Sequence, residues 1–156
     1  MKTFFFDDAL FLPVPLGDVF SFFAEARNLE KLTPSWLRFE VLTGDPITME
    51  AGTLIDYRIH WRGIPLRWRT EIEVWEPPHR FVDRQIRGPY RLWRHEHLFI
   101  DRGNGTSIID RVEYAPLGGA LAQRLVVARD VKRIFAYRHG VLLDEFRTPS
   151  TPSKST

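Results

Sequence analysis

Between Thr53 and Tyr114 apolar and polar residues alternate, and beyond Gly118-Gly119 the apolar ones recur every third or fourth position instead. This change of period constrains the fold more than any other feature. Side chains alternate across a strand but return about every 3.6 residues on a helix. Ile55, Tyr57, Ile59 and Trp61 fall on one face, with Asp56, Arg58 and His60 on the other. After a turn at Gly63, the residues Ile64, Leu66, Trp68, Ile72 and Val74 share a face opposite Arg67, Arg69, Glu71 and Glu73. The pattern predicts an antiparallel sheet that is apolar on one side and wet on the other.

Pro77-Pro78 then turns the chain into the stretch Phe81 to Phe99, which reads as two more strands joined at Gly88-Pro89. On the second of these, Trp93, His95, His97 and Phe99 point to one face. Two imidazoles between two large aromatics suit neither a plain core nor a plain surface, so this face is expected to line a pocket. Gly103-Asn104-Gly105 marks the next hairpin. The last strand, Thr106 to Tyr114, carries Ile108, Asp110, Val112 and Tyr114 on one face.

Residues 3–12 read as a first strand, ended by Pro13 and Pro15. Pro15 or Leu16 opens a short helix with Val19, Phe20, Phe22 and Phe23. A second short helix follows, with Asn28 as its expected N-cap and Pro34 at its end, before a strand over Trp36 to Thr43. Beyond the sheet, one long helix from Ala120 to about Phe146 carries a stripe of Val127, Val131, Ile134, Phe135, Val141 and Leu142. Arg138 lies inside that stripe. The predicted domain covers residues 1–147, and the tail TPSTPSKST at 148–156 has a disordered composition.

An α+β chain of this kind, with about seven antiparallel strands and one long amphipathic helix, must bury the sheet face and the helix stripe against each other. A sheet curved around such a helix tends to leave a cavity between them, which is the helix-grip arrangement.

With 156 residues the chain is long enough for one sizeable core. Its formal charge is only +2, and its arginines are spread singly along the strands. A nucleic-acid footprint would need a clustered basic patch, so no nucleic acid is expected as a partner. There is no cysteine. Phe4-Phe5-Phe6 is cut off by Asp7-Asp8, unlike a signal peptide, and no apolar run approaches the ~20 residues of a membrane span. A soluble, cytoplasmic protein is the expectation.

Several residues invite chemistry. His95 and His97 share a face, and Asp110 can approach them from a neighbouring strand. The three could form a two-His, one-carboxylate metal set, perform general acid–base work, or serve as hydrogen-bonded pocket lining. The spacing is weak evidence for a metal, and neither metal nor cofactor is expected. A buried Arg138 must find a partner, for which Asp110, Glu145 or a ligand carboxylate are the candidates. Tyr57, Trp68, Trp93, Phe99, Tyr114 and Phe135 are the expected pocket walls. Asp83 and Gln85 alternate with Phe81 and could reach the pocket or its rim. No nucleophile triad, phosphate loop or dinucleotide fingerprint is present.

Taken in order, the segments NLEKLTPSWLRFEVLT (Asn28 to Thr43), GIPLRWRTEIEVWEPPHRFVD (Gly63 to Asp83), GPYRLWRHEHLF (Gly88 to Phe99), GTSIIDRVEYAPLG (Gly105 to Gly118) and IFAYR (Ile134 to Arg138) carry a resemblance. The chain resembles the START-like, or SRPBCC, superfamily, and more closely its small bacterial cyclase/dehydrase-like members, over residues 3–147. The resemblance implies a helix-grip fold that binds a small hydrophobic ligand, aromatic, lipid-like or polyketide-like, between sheet and C-terminal helix. It also implies catalysis in some branches. The alternative function is therefore a polyketide cyclase or dehydratase in which His95 or His97 moves a proton, Asp110 orients it and Arg138 stabilises an enolate or carboxylate. A closed protein-interaction module, its cavity filled by its own Trp and Phe, is the third possibility.

Overall fold

In the computed structural model, which describes residues 1–147, seven antiparallel strands form one sheet. Strand β1 (Phe4–Leu12) leads into helices α1 (Leu16–Ala24) and α2 (Asn28–Leu32), a 3-10 turn (Ser35–Leu37) and the two-residue strand β2 (Glu40–Val41). Strands β3 (Leu54–Trp61), β4 (Ile64–Glu76), β5 (Arg80–Arg87), β6 (Tyr90–Asp101) and β7 (Thr106–Pro116) follow. Helix α3 (Gly119–Ala122), a π-helical turn (Gln123–Val127) and α4 (Ala128–Glu145) end the described chain. The strand order is β1-β7-β6-β5-β4-β3-β2, so the sequence neighbours β1 and β2 lie at opposite edges. Helices α1 and α2 carry the chain from one edge to the other. This is the helix-grip fold.

One sheet face is wet, and there the arginines pair across strands with acidic partners. Arg69 meets Asp56 at 2.8 Å, Arg84 meets Glu71 at 3.1 Å, Arg94 meets Glu73 at 3.1 Å and Arg80 meets Glu96 at 2.8 Å. Such half-exposed pairs contribute only about 0–1 kcal/mol each, but they neutralise the basic side chains one by one. The other face packs against α4, whose buried Val131, Phe135, Arg138 and Leu142 recur at helical spacing.

Bulges re-aim side chains that simple alternation misplaces. Ile72 pairs with Asp83 and Val74 with Val82, so one residue of β4 is extra and the facing parity switches. Trp75 therefore takes the inward place expected of Val74, with its ring 5.2 Å from Phe20 and 5.5 Å from Phe81. On β6 the register shifts between Tyr90 and Leu92. Tyr90 and Trp93 consequently face the same interior, their rings 4.9 Å apart.

Three local expectations are corrected. Trp36 to Thr43 is not one strand: Arg38 turns left-handed at φ 45° after the 3-10 turn, and only Glu40–Val41 pairs with β3. Asn28 does not cap α2. Its Nδ2 instead donates to the Phe22 carbonyl at 2.8 Å, tying α2 to α1. The long helix is interrupted by the wide turn at Gln123–Val127, where Gln123 Nε2 donates to the Tyr114 hydroxyl at 2.6 Å. The tail at 148–156 lies outside the described residues.

A large buried cluster lies at the α1 end of the sheet, where Leu12, Phe20, Phe23, Phe99, Ile108 and Leu142 are all buried. The hairpin before β7 presses on the end of β1. A Cβ at Gly105 would sit 2.3 Å from the Leu12 carbonyl oxygen, a position closed to any larger residue. No helix among the described residues is long and apolar enough to cross a membrane. Phe99 is 2% exposed and touches Phe20 and Phe23 edge-on. Replacing it by alanine is expected to destabilise the fold by about 3–5 kcal/mol, read as a lower urea midpoint with an unchanged slope.

Candidate functional site

Between the sheet and α4 lies a cavity of about 850 Å³. Ile55 and Tyr57 of β3, Trp68 and Ile72 of β4, and Trp93 of β6 form one wall, and Ile134 of α4 part of the other. The exposed members of the lining mark its mouth. There Trp61 Nε1 donates to Asp130 at 3.2 Å, bridging the β3–β4 hairpin to α4. Beside it, the Arg133 guanidinium lies 4.8 Å from the Trp36 ring, which also packs on Tyr137.

At the inner end the sheet register assembles a polar network. A hairpin centred on Gly88-Pro89 sets Asp83 opposite His95, and the β6–β7 pairing sets His97 opposite Asp110. His95 Nε2 lies 2.7 Å from Asp110 Oδ1, and His97 Nε2 lies 2.6 Å from Asp83 Oδ2. Arg138 Nη2 donates to the same Asp110 oxygen at 3.1 Å. His97 Nδ1 is 3.4 Å from both that oxygen and Arg138 Nη2, so Asp110 is the acceptor the two cationic groups share. The two imidazoles stack with centroids 3.7 Å apart, and Phe81 stacks on the outer side of His97 at 3.9 Å. The guanidinium lies over Phe23 and Phe135. His95, His97, Asp110 and Arg138 are each at most 6% exposed.

Burial and charge act against each other here. Burial, the largest influence on Asp110, favours its neutral form. The Arg138 charge and the hydrogen bonds from both histidines overcome it and hold the carboxyl well below its usual range. Asp83 is lowered as well, burial being outweighed by His97 and the nearby positive charges. The histidines diverge. Burial pushes His97 down, but hydrogen bonds to two carboxylates outweigh this and raise it. Burial and the His97 charge lower His95 more than its bond to Asp110 raises it. The network thus favours ionised carboxyls at Asp83 and Asp110 beside the Arg138 guanidinium, with His97 the more readily protonated of the two histidines. His95, pushed down, favours its neutral form, which donates from Nε2 to the ionised Asp110.

Of the candidate residues, Tyr57, Trp68, Asp83, Trp93, His95, His97 and Arg138 line the cavity. Asp110 stands behind the histidines and Arg138. Phe99, Tyr114 and Phe135 sit in the packed clusters around it. Gln85 is bonded to the Tyr90 backbone, donating to its carbonyl at 2.7 Å and accepting from its amide at 3.1 Å, so it braces the β5–β6 turn. Arg138 takes Asp110 as its partner, not Glu145, which is exposed. Sequence reasoning overlooked Tyr90, which needed the bulge, and the bond between Asp83 and His97, which runs diagonally to a hairpin register that sets Asp83 opposite His95.

Asp83, His95 and His97 offer three ligand atoms within 4.8 Å of one another. The imidazole planes are nearly parallel, inclined by 26°, and so do not converge on one point, and both Nε2 atoms already face carboxylates. Arg138 adds a positive charge beside them. The set is better suited to hydrogen bonding than to holding a cation.

Stability should depend on pH at both ends. His95, lowered from 6.5, contributes stability that is lost as pH falls below that value. Asp83 and Asp110, lowered from 3.8, add a steeper loss below it. The raised His97 contributes stability that disappears as pH rises through its folded-state value. Arg138→Met would leave Asp110 buried without its main counter-charge, costing roughly 3–5 kcal/mol at neutral pH. The deficit should shrink in acid as Asp110 is protonated, a trend that urea titrations across pH can check.

The family model described as polyketide cyclase / dehydrase and lipid transport matches residues 12–134. No curated protein matches the sequence. Protein CV1439 from Chromobacterium violaceum is similar in structure, with TM-score 0.74 and 14% identity over 92% of this chain and 98% of that one. The Zhui aromatase/cyclase from Streptomyces sp. R1128 superposes with TM-score 0.72 at 12% identity, covering 92% and 93% of the two chains. Ginseng major latex-like protein 151 from Panax ginseng gives TM-score 0.68 at 10% identity over 94% and 99%. At such identities these structures carry the fold alone, whereas the family model covers most of the sequence. The chain belongs to the polyketide cyclase/dehydrase and lipid transport family.

Proposed function

We propose that this protein binds one small, flat, largely apolar molecule in the cavity between the sheet and α4. The cavity itself carries the proposal. Its volume of about 850 Å³ falls within the ~300–1,000 Å³ of typical ligand sites. Its walls are aromatic, with Tyr57, Trp68, Tyr90 and Trp93 packed around one another. Such rings favour a planar partner. The space also weighs against the closed interaction module, whose own side chains would occupy it.

The inner end supports a ligand with a neutral polar group. Asp83 and Asp110 already set two carboxyls against Arg138 and the histidines, so a ligand carboxylate would meet like charge there. A carbonyl or hydroxyl can accept or donate a hydrogen bond there without adding a charge. The family's description, polyketide cyclase / dehydrase and lipid transport, supports a small, largely apolar ligand.

Four of the five tryptophans (Trp36, Trp61, Trp68 and Trp93) line the cavity, so occupancy can be read from intrinsic fluorescence. The neutral dye N-phenyl-1-naphthylamine is expected to bind saturably at one equivalent and to quench tryptophan emission. Trp68→Ala or Trp93→Ala should weaken it about tenfold, in keeping with an aromatic contact of ~0.5–1.5 kcal/mol. Non-saturable uptake, or wild-type affinity in both variants, would remove the reading.

A further inference from the structure

The arginines are spread singly along the chain, but the sheet register gathers four of them on the wet face. Arg58 of β3 lies directly opposite Arg67 of β4, and Arg69 of β4 lies directly opposite Arg87 of β5. Arg67 and Arg69 are two residues apart and share a face, which sets the two like-charged pairs side by side. Like charges directly opposite each other destabilise a sheet. Only part of this charge is met. Glu40 pairs with Arg58, and Asp56 accepts two hydrogen bonds from Arg69, at 2.8 and 3.1 Å. Arg67 and Arg87 make no ion pair and no side-chain hydrogen bond among the described residues.

These two unmatched guanidinium groups border a hollow. Arg67, Arg69 and Arg87 line a concavity of about 170 Å³ together with Asp56 and Thr43. That is below the ~300–1,000 Å³ of sites for drug-sized molecules, and it suits one small anion. The Arg69 hydrogen bond, joined by the charges of Arg69, Arg67 and Arg87, holds Asp56 below its usual range against burial, so all three arginines act on this spot. Thr43 Oγ1 accepts from the Asp56 amide at 2.8 Å, which leaves its hydroxyl hydrogen available to donate.

We infer that this hollow binds a phosphate-class dianion, gripped by Arg67 and Arg87 with Arg69 beside them. Such an ion brings two negative charges to the two unmatched guanidinium groups, and its several oxygens accept forked N–H pairs from both. A single carboxylate brings half that charge. Free phosphate, a small phosphate ester and a lipid headgroup share this chemistry. The bound anion also relieves the repulsion across both arginine pairs, so binding stabilises the fold. The hollow shares Tyr57 and Trp68 with the interior cavity, but none of its arginines lines that cavity. The inference therefore stands apart from the ligand proposed there.

The test is the thermal midpoint of the full chain in sodium phosphate against sodium chloride of equal ionic strength, at a pH where phosphate carries two charges. Phosphate should raise the midpoint saturably, and chloride should not. Arg67→Gln and Arg87→Gln should each weaken the phosphate response about tenfold, in keeping with hydrogen bonds to a charged group. In dilute chloride both variants should melt no lower than the wild type, because neither residue holds an ion pair and each faces another arginine. Arg129→Gln, exposed on α4 and outside the patch, should respond to phosphate as the wild type does. Phenyl phosphate and vesicles containing phosphatidic acid separate the sources. A response to inorganic phosphate alone, to phenyl phosphate as well, or vesicle sedimentation lost in both variants would point in turn to the free ion, a small ester or a headgroup. A phosphate shift no larger than that in chloride, or one kept in full by both variants, would overturn the site.

Discussion

Burying a guanidinium inside an apolar helix stripe is the constraint on which the centre of this structure turns. An isolated charge there would cost far more than the helix gains by packing. Arg138 is tolerated because Asp110 lies 3.1 Å away on β7 and because Phe23 and Phe135 flank the guanidinium plane. That one oxygen of Asp110 also accepts from His95 and lies near His97. The β6–β7 register, the rotation of α4 about its axis and the identity of the strand residues are thus coupled. Slipping β7 by one residue would point Asp110 outward and leave Arg138 alone.

The same coupling explains why a protein with many aromatic residues keeps an open cavity. The rings divide into two groups. Phe20, Phe23, Phe81 and Phe99 pack edge to face at the α1 end and supply the core. Tyr57, Trp68, Tyr90 and Trp93 stand along the sheet, where the bulge in β6 turns both of its rings inward. The network lies between the groups. The cavity therefore ends on a surface able to make hydrogen bonds, where carboxyls face cationic partners, bounded by flat walls.

Within that network, similar residue types acquire different properties from their neighbours alone. His97 sits between two carboxylates and holds its proton more tightly than an ordinary histidine, whereas His95, buried with one carboxylate and His97 beside it, holds its proton less tightly. Composition has no bearing on this difference, which follows from which strand lies on each side.

Much was legible along the chain. The period change at Gly118-Gly119, the turns at Gly88-Pro89 and Gly103-Asn104-Gly105, and the shared face of Trp93, His95, His97 and Phe99 depend on local alternation, and local alternation is written in the sequence. Arg138 within an apolar stripe was visible for the same reason. Trp75 in place of Val74, the inward turn of Tyr90, the break at Arg38 and the bond from Asn28 to Phe22 were not. Each depends on a bulge or a contact whose partner lies elsewhere in the chain. The sequence by itself determined the elements, their faces and the residues able to do chemistry, because side-chain direction follows backbone period. Only the tertiary structure decided which carboxylate meets which histidine and whether space remains beside them, because strand register and helix rotation are settled by the packing of the whole sheet against α4.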